Sequence, residues 1–227
     1  MHWRSAVEES GFAILPEALP CERTERLLDE MAQSSPRRSR AGVRHAMRLP
    51  AVEALAQERS LIDLAREVLG PEAFPFRATL FDKSAQSNWL VVWHQDTALP
   101  LQNRLDLDGW GPWSIKDGIH YAHAPASPLS LVLALRIHLD DSNELNGPLR
   151  VLPGTHKLGV LDDDAIHALA MKVSPIDCLI RRGGVLAMRP LVVHASSKTE
   201  TEDPRRVLHI EYAASPSIAA PLWLAIA

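Results

Sequence analysis

Two residues in the middle of the chain, His94 and Asp96, have the types and spacing needed to bind a metal ion. Alternate residues of a β-strand point to the same face, so an imidazole nitrogen and a carboxylate oxygen can meet there on one ion. A facial triad of two histidines and one carboxylate holds non-haem iron(II) and leaves the other coordination positions open. Because such triplets also arise by chance, the pair indicates a metal site only if a third ligand exists.

His194 is the candidate for the third ligand. It ends the apolar run 191–193, a position that a buried core histidine would also occupy. Its downstream neighbours favour a ligand, since Ser196 follows after two residues and Arg205 opens a later apolar run. A guanidinium group binds a carboxylate through two parallel hydrogen bonds, so Arg205 is the natural anchor for a dicarboxylic cosubstrate.

Arg206 competes with Arg205 for this role. Strand alternation gives two sets of residues, the first being Arg205, Val207, His209 and Glu211, and the second Arg206, Leu208, Ile210 and Tyr212. The first set is more polar and suits a hydrated pocket, although exposure to solvent would also explain it. Spacing favours Arg205.

The elements that position these residues are predicted to be mainly strands. Two amphipathic helices are expected at 21–33 and 52–69, within a mainly helical part that spans residues 1–75. Residues 76–227 instead carry short apolar runs between turn residues, at 76–81, 89–93, 129–139, 149–152, 185–188 and 207–212. This order predicts one mainly β (α+β) domain over 1–227, a sandwich or barrel with helices on one side.

Composition argues against several classes of protein. The 227 residues carry a formal net charge of −4, which would not attract a nucleic acid or an anionic membrane. We interpret the short basic run at 37–40 as a solvated loop. No signal peptide or apolar stretch of membrane-spanning length is visible. Two cysteines, Cys21 and Cys178, are too few for a disulfide framework, which favours a reducing, cytoplasmic compartment.

A segment at 103–125 is predicted to be a loop insertion beside the metal motif, irregular over 106–121. It contains Trp113, Tyr121 and His123. Together with Gln95, these are the candidates for contact with a small-molecule substrate, because mixed aromatic and polar groups suit such a pocket. A packed structural loop is the alternative interpretation.

Three motifs together resemble the phytanoyl-CoA dioxygenase-like family of iron(II)/2-oxoglutarate oxygenases. They are Trp-His-Gln-Asp at 93–96, Asn-Gly-Pro-Leu-Arg-Val-Leu-Pro-Gly-Thr-His at 146–156, and His194 with Ser196 and Arg205. The resemblance extends to the N-terminus, where Gly-Phe at 11–12 precedes Leu-Pro and a helix. It implies a double-stranded β-helix (jelly-roll, cupin-like) core with flanking N-terminal helices.

The resemblance also implies the chemistry. Iron(II) would be held by His94, Asp96 and His194, and 2-oxoglutarate and dioxygen would be consumed while a small metabolite is hydroxylated and succinate and carbon dioxide are released. Arg205 and Ser196 would bind the far carboxylate of 2-oxoglutarate. Because Asp96 is present, hydroxylation or a related oxidation is preferred over halogenation.

The resemblance also implies that Thr79 and Arg136 contact the cosubstrate. Arg136 departs from the aromatic residue that many relatives have there, and Lys198-Thr199 departs from an asparagine-containing stretch. Two alternatives stay open: a cupin-like metalloenzyme that does not use 2-oxoglutarate, and a non-catalytic jelly-roll protein that binds a ligand. The oligomeric state is not predicted.

Overall fold

The computed structural model describes residues 2–34, 42–84 and 87–227. The basic run at 37–40 lies outside these residues. The helices are α1 (Trp3–Ser10), α2 (Cys21–Gln33), α3 (Pro50–Ala56), α4 (Arg59–Leu69), α5 (Ala126–Ser130) and α6 (Asp163–Ala170), with 3₁₀ turns at Ala46–Arg48 and Thr155–Leu158. None of the helices in the described part of the chain combines the length and apolar character needed to cross a membrane.

Strands make up most of the chain after α4. Their bounds are β1 (Phe12–Leu15), β2 (Gly42–Val43), β3 (Phe74–Lys83), β4 (Val91–His94), β5 (Ala98–Leu101), β6 (Trp113–Lys116), β7 (Ile119–His123), β8 (Val132–His138), β9 (Leu149–Val151), β10 (Ile176–Cys178), β11 (Val185–Met188), β12 (His194–Ser196), β13 (Arg205–Ala213), β14 (Ser217–Ala219) and β15 (Leu222–Trp223).

Two antiparallel sheets form the body of the fold. The larger sheet has the order β1-β11-β8-β13-β3-β2, and the smaller has the order β10-β9-β12-β4. Apart from β2 with β3 and β9 with β10, the neighbours in both sheets are strands that are not consecutive in sequence, as in a jelly roll. The prediction of a mainly β jelly-roll core with N-terminal helices is confirmed, while its description as one domain stays a prediction.

The central strand β8 shows why the larger sheet has two different faces. Its seven residues are all buried, and alternate side chains point to opposite sides. Leu133, Leu135 and Ile137 pack in a cluster with apolar residues of α2, α3 and α4. Ala134, on the opposite face, packs with β9 of the smaller sheet. The helices thus cover the outer face, and the inner face is enclosed between the sheets.

The predicted helix at 52–69 is wrong in one respect, because the structure breaks it into α3 and α4. Glu58 is extended (φ −60°, ψ 136°) and caps α4. Val52 and Leu61 are both fully buried in the same core, yet nine residues are two and a half helical turns apart. One straight helix would point these side chains in opposite directions, so the break allows both to be buried.

The segment at 103–125 is not wholly irregular. β6 and β7 pair as a hairpin, Lys116 opposite Ile119, and β7 also pairs with β5. The two-residue turn is Asp117-Gly118, with φ +48° and +84°. Asp-Gly favours a two-residue turn with positive φ at both positions, so this hairpin was visible in the sequence and was missed.

The predicted strand at 129–139 begins later than expected. Residues 126–130 form the short helix α5, and Leu131 ends it with 38% of its surface exposed. In the sequence, Leu129 and Leu131 continue the apolar alternation of β8. However, Pro125 is the N-cap of α5 and Pro128 lies in its first turn. Proline is tolerated in the first turn of a helix, where its missing N–H has no partner to lose.

We predict that Gly147→Ala destabilises the fold more than Gly118→Ala does. Both glycines have positive φ, which costs an alanine about 1–2 kcal/mol. A Cβ at Gly147 would also lie 2.4 Å from the Ser197 carbonyl oxygen, whereas nothing lies within 4 Å of one at Gly118. This contact should lower the free energy of unfolding of Gly147→Ala by about 1–3 kcal/mol more than that of Gly118→Ala. Urea unfolding measures both values, and equal losses in the two variants would contradict the close approach.

Candidate metal centre and cosubstrate pocket

The two histidines of the candidate metal site lie on neighbouring strands of the smaller sheet. β4 and β12 pair antiparallel, and the register places His194 directly opposite His94. Directly paired residues have Cβ atoms about 4.5–5.5 Å apart, and the two ring centroids are 4.2 Å apart. Sheet pairing thus brings together two residues that are far apart in sequence.

Asp96 completes the group, although it is not on a strand as predicted. β4 ends at His94, and the Asp96 N–H donates to the Pro190 carbonyl oxygen at 2.9 Å, which fixes the following turn. The Asp96 carboxylate oxygens lie 3.6 Å from His94 Nε2 and 3.6 Å from His194 Nε2. The loop therefore brings the carboxylate between the two imidazoles.

The donor set fits a divalent transition metal. Two atoms that each lie about 2.1 Å from one ion can be at most about 4.2 Å apart, and both Nε2–carboxylate distances meet this limit. Among the described residues, the side chains that could together hold an ion are those of His94, Asp96 and His194. Two imidazoles with one carboxylate match the facial triad of non-haem iron(II).

Both imidazoles are oriented by the same local interaction. His94 Nδ1 lies 2.9 Å from the Val92 carbonyl oxygen, and His194 Nδ1 lies 2.9 Å from that of Val192. A proton on Nδ1 satisfies each carbonyl and leaves the Nε2 lone pair directed towards Asp96. Such hydrogen bonds fix the tautomer and ring orientation of histidine ligands.

The electrostatics of the triad favour an ionised Asp96 beside a neutral His194. Burial opposes the Asp96 charge, but His194 and His94 outweigh it and hold the pKa of Asp96 well below its usual value. Burial lowers the pKa of His194 to about 4 despite the nearby Asp96. A deprotonated carboxylate and a neutral imidazole are the forms that bind metals.

A buried group of positive charges lies near the triad, around Ser196. Arg205 Nη2 donates to Ser196 Oγ at 3.3 Å, and Lys83 Nζ donates to the same oxygen at 2.8 Å and to the Ser197 carbonyl oxygen. The hydroxyl itself donates to the Gly147 carbonyl oxygen at 2.8 Å. A serine hydroxyl has one proton and two lone pairs, so Ser196 holds the two cations and does not present a free hydroxyl to a cosubstrate.

Burial makes these charges costly. Arg205 is 3% exposed and Lys83 1% exposed. Burial and the neighbouring Arg136 lower the pKa of Arg205 to about 9, and burial and Arg205 lower the pKa of Lys83 to about 7. Arg205 Nη1 is buried with no hydrogen-bond partner. An unpaired buried charge costs several kcal/mol, so the arrangement favours an anion bound beside it.

Arg136 extends the positive group along the inner face of the larger sheet. Its guanidinium lies 3.0 Å from His209 Nδ1 and 5.2 Å from the Phe81 ring centroid, while its Nε has no partner. His138, on the same strand, is buried with both ring nitrogens unpartnered. Burial, Arg136 and Arg205 lower the pKa of His138 to about 3, so it is neutral. Within the described ranges, no carboxylate forms an ion pair with Arg205, Lys83 or Arg136.

Arg206 occupies a different environment from Arg205. Its guanidinium forms two hydrogen bonds to the Asp140 carboxylate, both at 2.7 Å, and is 30% exposed. These contacts raise the pKa of Arg206, mainly through the Asp140 hydrogen bonds. An arginine already paired with a carboxylate at the start of β13 is a poor anchor for a cosubstrate, so the structure favours Arg205.

A cavity of about 250 Å³ adjoins the triad. Its walls include Asp96 together with four predicted site residues, which are Thr79, Gln95, Tyr121 and His123. A second cavity of about 720 Å³ is lined by His94 and shares Gln95, Thr97 and His123 with the first. His123 Nδ1 lies 2.6 Å from Thr97 Oγ1, so this pair separates the two cavities.

Two of the predicted substrate contacts, Gln95 and Trp113, have structural roles, and their contact with a substrate stays a prediction. Gln95 Nε2 donates to the carbonyl oxygens of Gly159 and Leu191, and Gln95 Oε1 accepts from the Leu161 N–H. These bonds fasten the 159–161 loop and leave the amide little capacity for a ligand. Trp113 packs at the margin of an apolar cluster, with Arg104 at 5.8 Å from its ring centroid.

Several pocket residues were missed in the sequence. Lys83, Arg77 and His138 each lie two or four positions from a residue that was selected, on the same strand face. Extending the alternation of Thr79 and Arg136 along β3 and β8 would have identified them. Arg44 had no comparable indication, because it lies outside the strands.

Two curated proteins are similar to the chain over about two thirds of its length. L-proline trans-4-hydroxylase of Streptomyces griseoviridis is 26% identical over 179 residues, covering 67% of this chain and 59% of that protein. Ectoine dioxygenase of Sphingopyxis alaskensis is 23% identical over 185 residues, covering 72% and 54%. The chain thus spans less than two thirds of the length of either relative.

The fold is also shared with solved structures. EctD from S. alaskensis, crystallised with 2-oxoglutarate and 5-hydroxyectoine, aligns with a TM-score of 0.70 at 19% identity, over 92% of this chain and 74% of that one. A family model described as phytanoyl-CoA dioxygenase (PhyH) matches residues 7–207. Because this match spans most of the sequence, the chain belongs to the phytanoyl-CoA dioxygenase family.

Proposed function

We propose that the chain is an iron(II)- and 2-oxoglutarate-dependent oxygenase that hydroxylates a small-molecule substrate with release of succinate and carbon dioxide. The observation that carries this proposal is the position of the His94, Asp96 and His194 triad beside a buried, unpaired group of cations. Such a group suits a dicarboxylate that must also reach the metal. The family, and relatives named as a proline hydroxylase and an ectoine dioxygenase, support the same reaction class.

The protein's part in the reaction is to bind, orient and exclude water. His94, Asp96 and His194 hold the iron, and Arg205 and Lys83 bind the far carboxylate of 2-oxoglutarate, with Arg136 and Thr79 beside it. Iron(II) with bound 2-oxoglutarate supplies the activation of dioxygen for attack on a C–H bond. Tyr121 and His123 line the cavity beside Asp96 and direct the substrate towards the triad.

The unpaired cations also weigh against a cupin-like metalloenzyme that uses no 2-oxoglutarate. Such an enzyme would have no reason to keep Arg205 and Lys83 buried together at a cost in stability. The complete triad weighs against a non-catalytic binding protein. The proposal includes a reducing, cytoplasmic location, which the free cysteines Cys21 and Cys178 support.

Asp96→Ala is expected to lower iron(II) affinity by more than about a hundredfold, because loss of even an outer contact to a ligand costs about 10–100-fold. Anaerobic titration with iron(II), or with cobalt(II) followed by absorbance, measures the affinity, and far-UV circular dichroism checks the fold. Asp63→Ala, on the exposed face of α4, is the matched control. Unchanged metal binding by Asp96→Ala would remove Asp96 from the ligand set.

Arg205→Gln is expected to weaken 2-oxoglutarate binding about a hundredfold, since a charge-assisted contact of about 3 kcal/mol is lost. Arg206→Gln removes the same charge one residue away and should leave the affinity within about threefold. The measurements are calorimetric binding to the metal-loaded protein and turnover of 2-oxoglutarate with iron(II) in the absence of substrate. If 2-oxoglutarate neither binds nor turns over in the unaltered protein, the proposed function is wrong.

The affinity for 2-oxoglutarate should also fall as pH rises above neutrality. Burial and Arg205 lower the pKa of Lys83 to about 7, so Lys83 loses its proton, and its attraction for a carboxylate, above this pH. Between about pH 6 and pH 9 we expect an affinity decrease of about tenfold that is absent in Lys83→Met. Lys172→Met, at an exposed position, should keep the original profile. A profile in Lys83→Met that matches the unaltered protein would exclude Lys83 from the pocket.

A further inference from the structure

The cavity of about 250 Å³ beside Asp96 is positively charged on the side away from the cosubstrate cations. Arg44, Arg77 and Lys116 contribute to its wall, and Asp96 is the carboxylate among its lining residues. These three cations come from separate places in the sequence: the segment after β2, the strand β3 and the end of β6. Their convergence is therefore a product of the fold.

Contacts within the protein hold Arg77 in this wall. It pairs with Glu211, which is 2% exposed, and its Nη1 donates to the Ala98 carbonyl oxygen at 2.7 Å. Burial works against the Arg77 charge, but Glu211 outweighs it and raises the pKa of Arg77. Glu211 thus positions the Arg77 guanidinium and balances its charge within the protein.

Arg44 and Lys116 are not balanced in this way. Neither forms an ion pair with a described residue, whereas Arg77 does. Burial and the charges of Arg44 and Arg77 lower the pKa of Lys116, which reflects how near these cations lie to one another. The wall therefore carries two positive charges that no carboxylate of the described residues balances, and its own carboxylate, Asp96, would be neutralised by a bound metal ion.

Tyr121 organises the same wall. Lys116 Nζ lies 4.8 Å and the Arg77 guanidinium carbon 5.9 Å from the centroid of its ring. The Tyr121 hydroxyl lies 2.9 Å from Nε2 of the buried His45, which fixes the ring. The negative face of an aromatic ring attracts cations, so Tyr121 holds these charges at the cavity in the absence of an anion.

We propose that this cavity binds the anionic group of the substrate, so that the compound oxidised is a small organic anion carrying a carboxylate or a phosphate ester. The inference rests on the proposed function, because it assigns the substrate class of the same site. Arg44 and Lys116 supply the unpaired charges, Arg77 the fixed one, and the cavity volume limits the compound to a small one. An anion held here lies beside Asp96 and hence beside the metal.

The test uses pairs of probes that differ in charge. N-acetyl amino acids are compared with their primary amides, and sugar phosphates with the parent sugars, as ligands of the protein loaded with zinc(II) and 2-oxoglutarate. Saturation-transfer NMR gives the affinities without turnover. We expect the anions of at least one chemical class to bind about tenfold or more tightly than their neutral partners, the factor given by 1.4 kcal/mol. The two classes separate a carboxylate from a phosphate.

The double variant Arg44→Gln/Lys116→Gln should abolish this preference. Arg44 is exposed and Lys116 half-buried, so neither substitution disturbs the core, and thermal unfolding checks this. The matched control is Arg59→Gln/Lys172→Gln, which removes two positive charges at exposed positions and should keep the preference. An anion preference that persists in the first variant, or disappears in the control, would overturn the proposal.

The affinity for 2-oxoglutarate separates this inference from the proposed function. Failure of 2-oxoglutarate to bind the unaltered, zinc-loaded protein would remove both. Normal 2-oxoglutarate binding with equal affinity for charged and neutral probes, or with no probe bound at millimolar concentration, would remove the substrate class alone. A loss of 2-oxoglutarate affinity in Arg44→Gln/Lys116→Gln would mean that the cavity holds the cosubstrate, and would also overturn the proposal.

Discussion

The antiparallel pairing of β4 with β12 is the constraint on which the candidate metal centre depends. It places His194 opposite His94, and each ring is then turned by a hydrogen bond to the carbonyl oxygen two residues earlier. A register shift of one residue would turn either imidazole to the other face of the sheet. Asp96 adds the third donor from the loop that follows β4. Backbone pairing, together with the hydrogen bond from the Asp96 N–H to Pro190, therefore fixes the geometry of the triad.

Charge balance explains much of what surrounds this pair of strands. The inner face of the larger sheet carries Arg205, Lys83 and Arg136, and in the described part of the chain none of them has a carboxylate partner. Arg77, in contrast, is paired with Glu211 on the same face. Burial of unpaired charge opposes folding. These cations therefore lower the stability of the protein, and a bound dianion would balance their charge. The unpaired cations are therefore the ones whose charge a bound anion would balance, whereas Glu211 already balances Arg77.

The remaining elements offset that cost and shape the access route. The outer face of the larger sheet packs on α2, α3 and α4 through fully buried side chains such as Leu135 and Leu61. The hairpin of β6 and β7 carries Tyr121 and His123 over the opening beside the metal triad. One face of the sheet thus supplies apolar stability, while the other, with the hairpin, supplies a polar cavity of limited size.

The sequence by itself determined the fold class, α2, most strands and the candidate triad, because alternation and short motifs are local properties of the chain. It could not determine that the helix at 52–69 breaks at Glu58. Only the tertiary structure shows that α3 and α4 both bury apolar side chains in the same core. It also left Arg205 and Arg206 as alternatives. In the structure, Arg205 is buried inside the fold, whereas Arg206 is paired with Asp140. Alternation along β3 would have indicated Lys83, but only the tertiary structure showed that no described carboxylate pairs with Lys83 or Arg44. Their importance depends on which charges lie nearby without partners, and that is decided by the packing of strands distant in sequence.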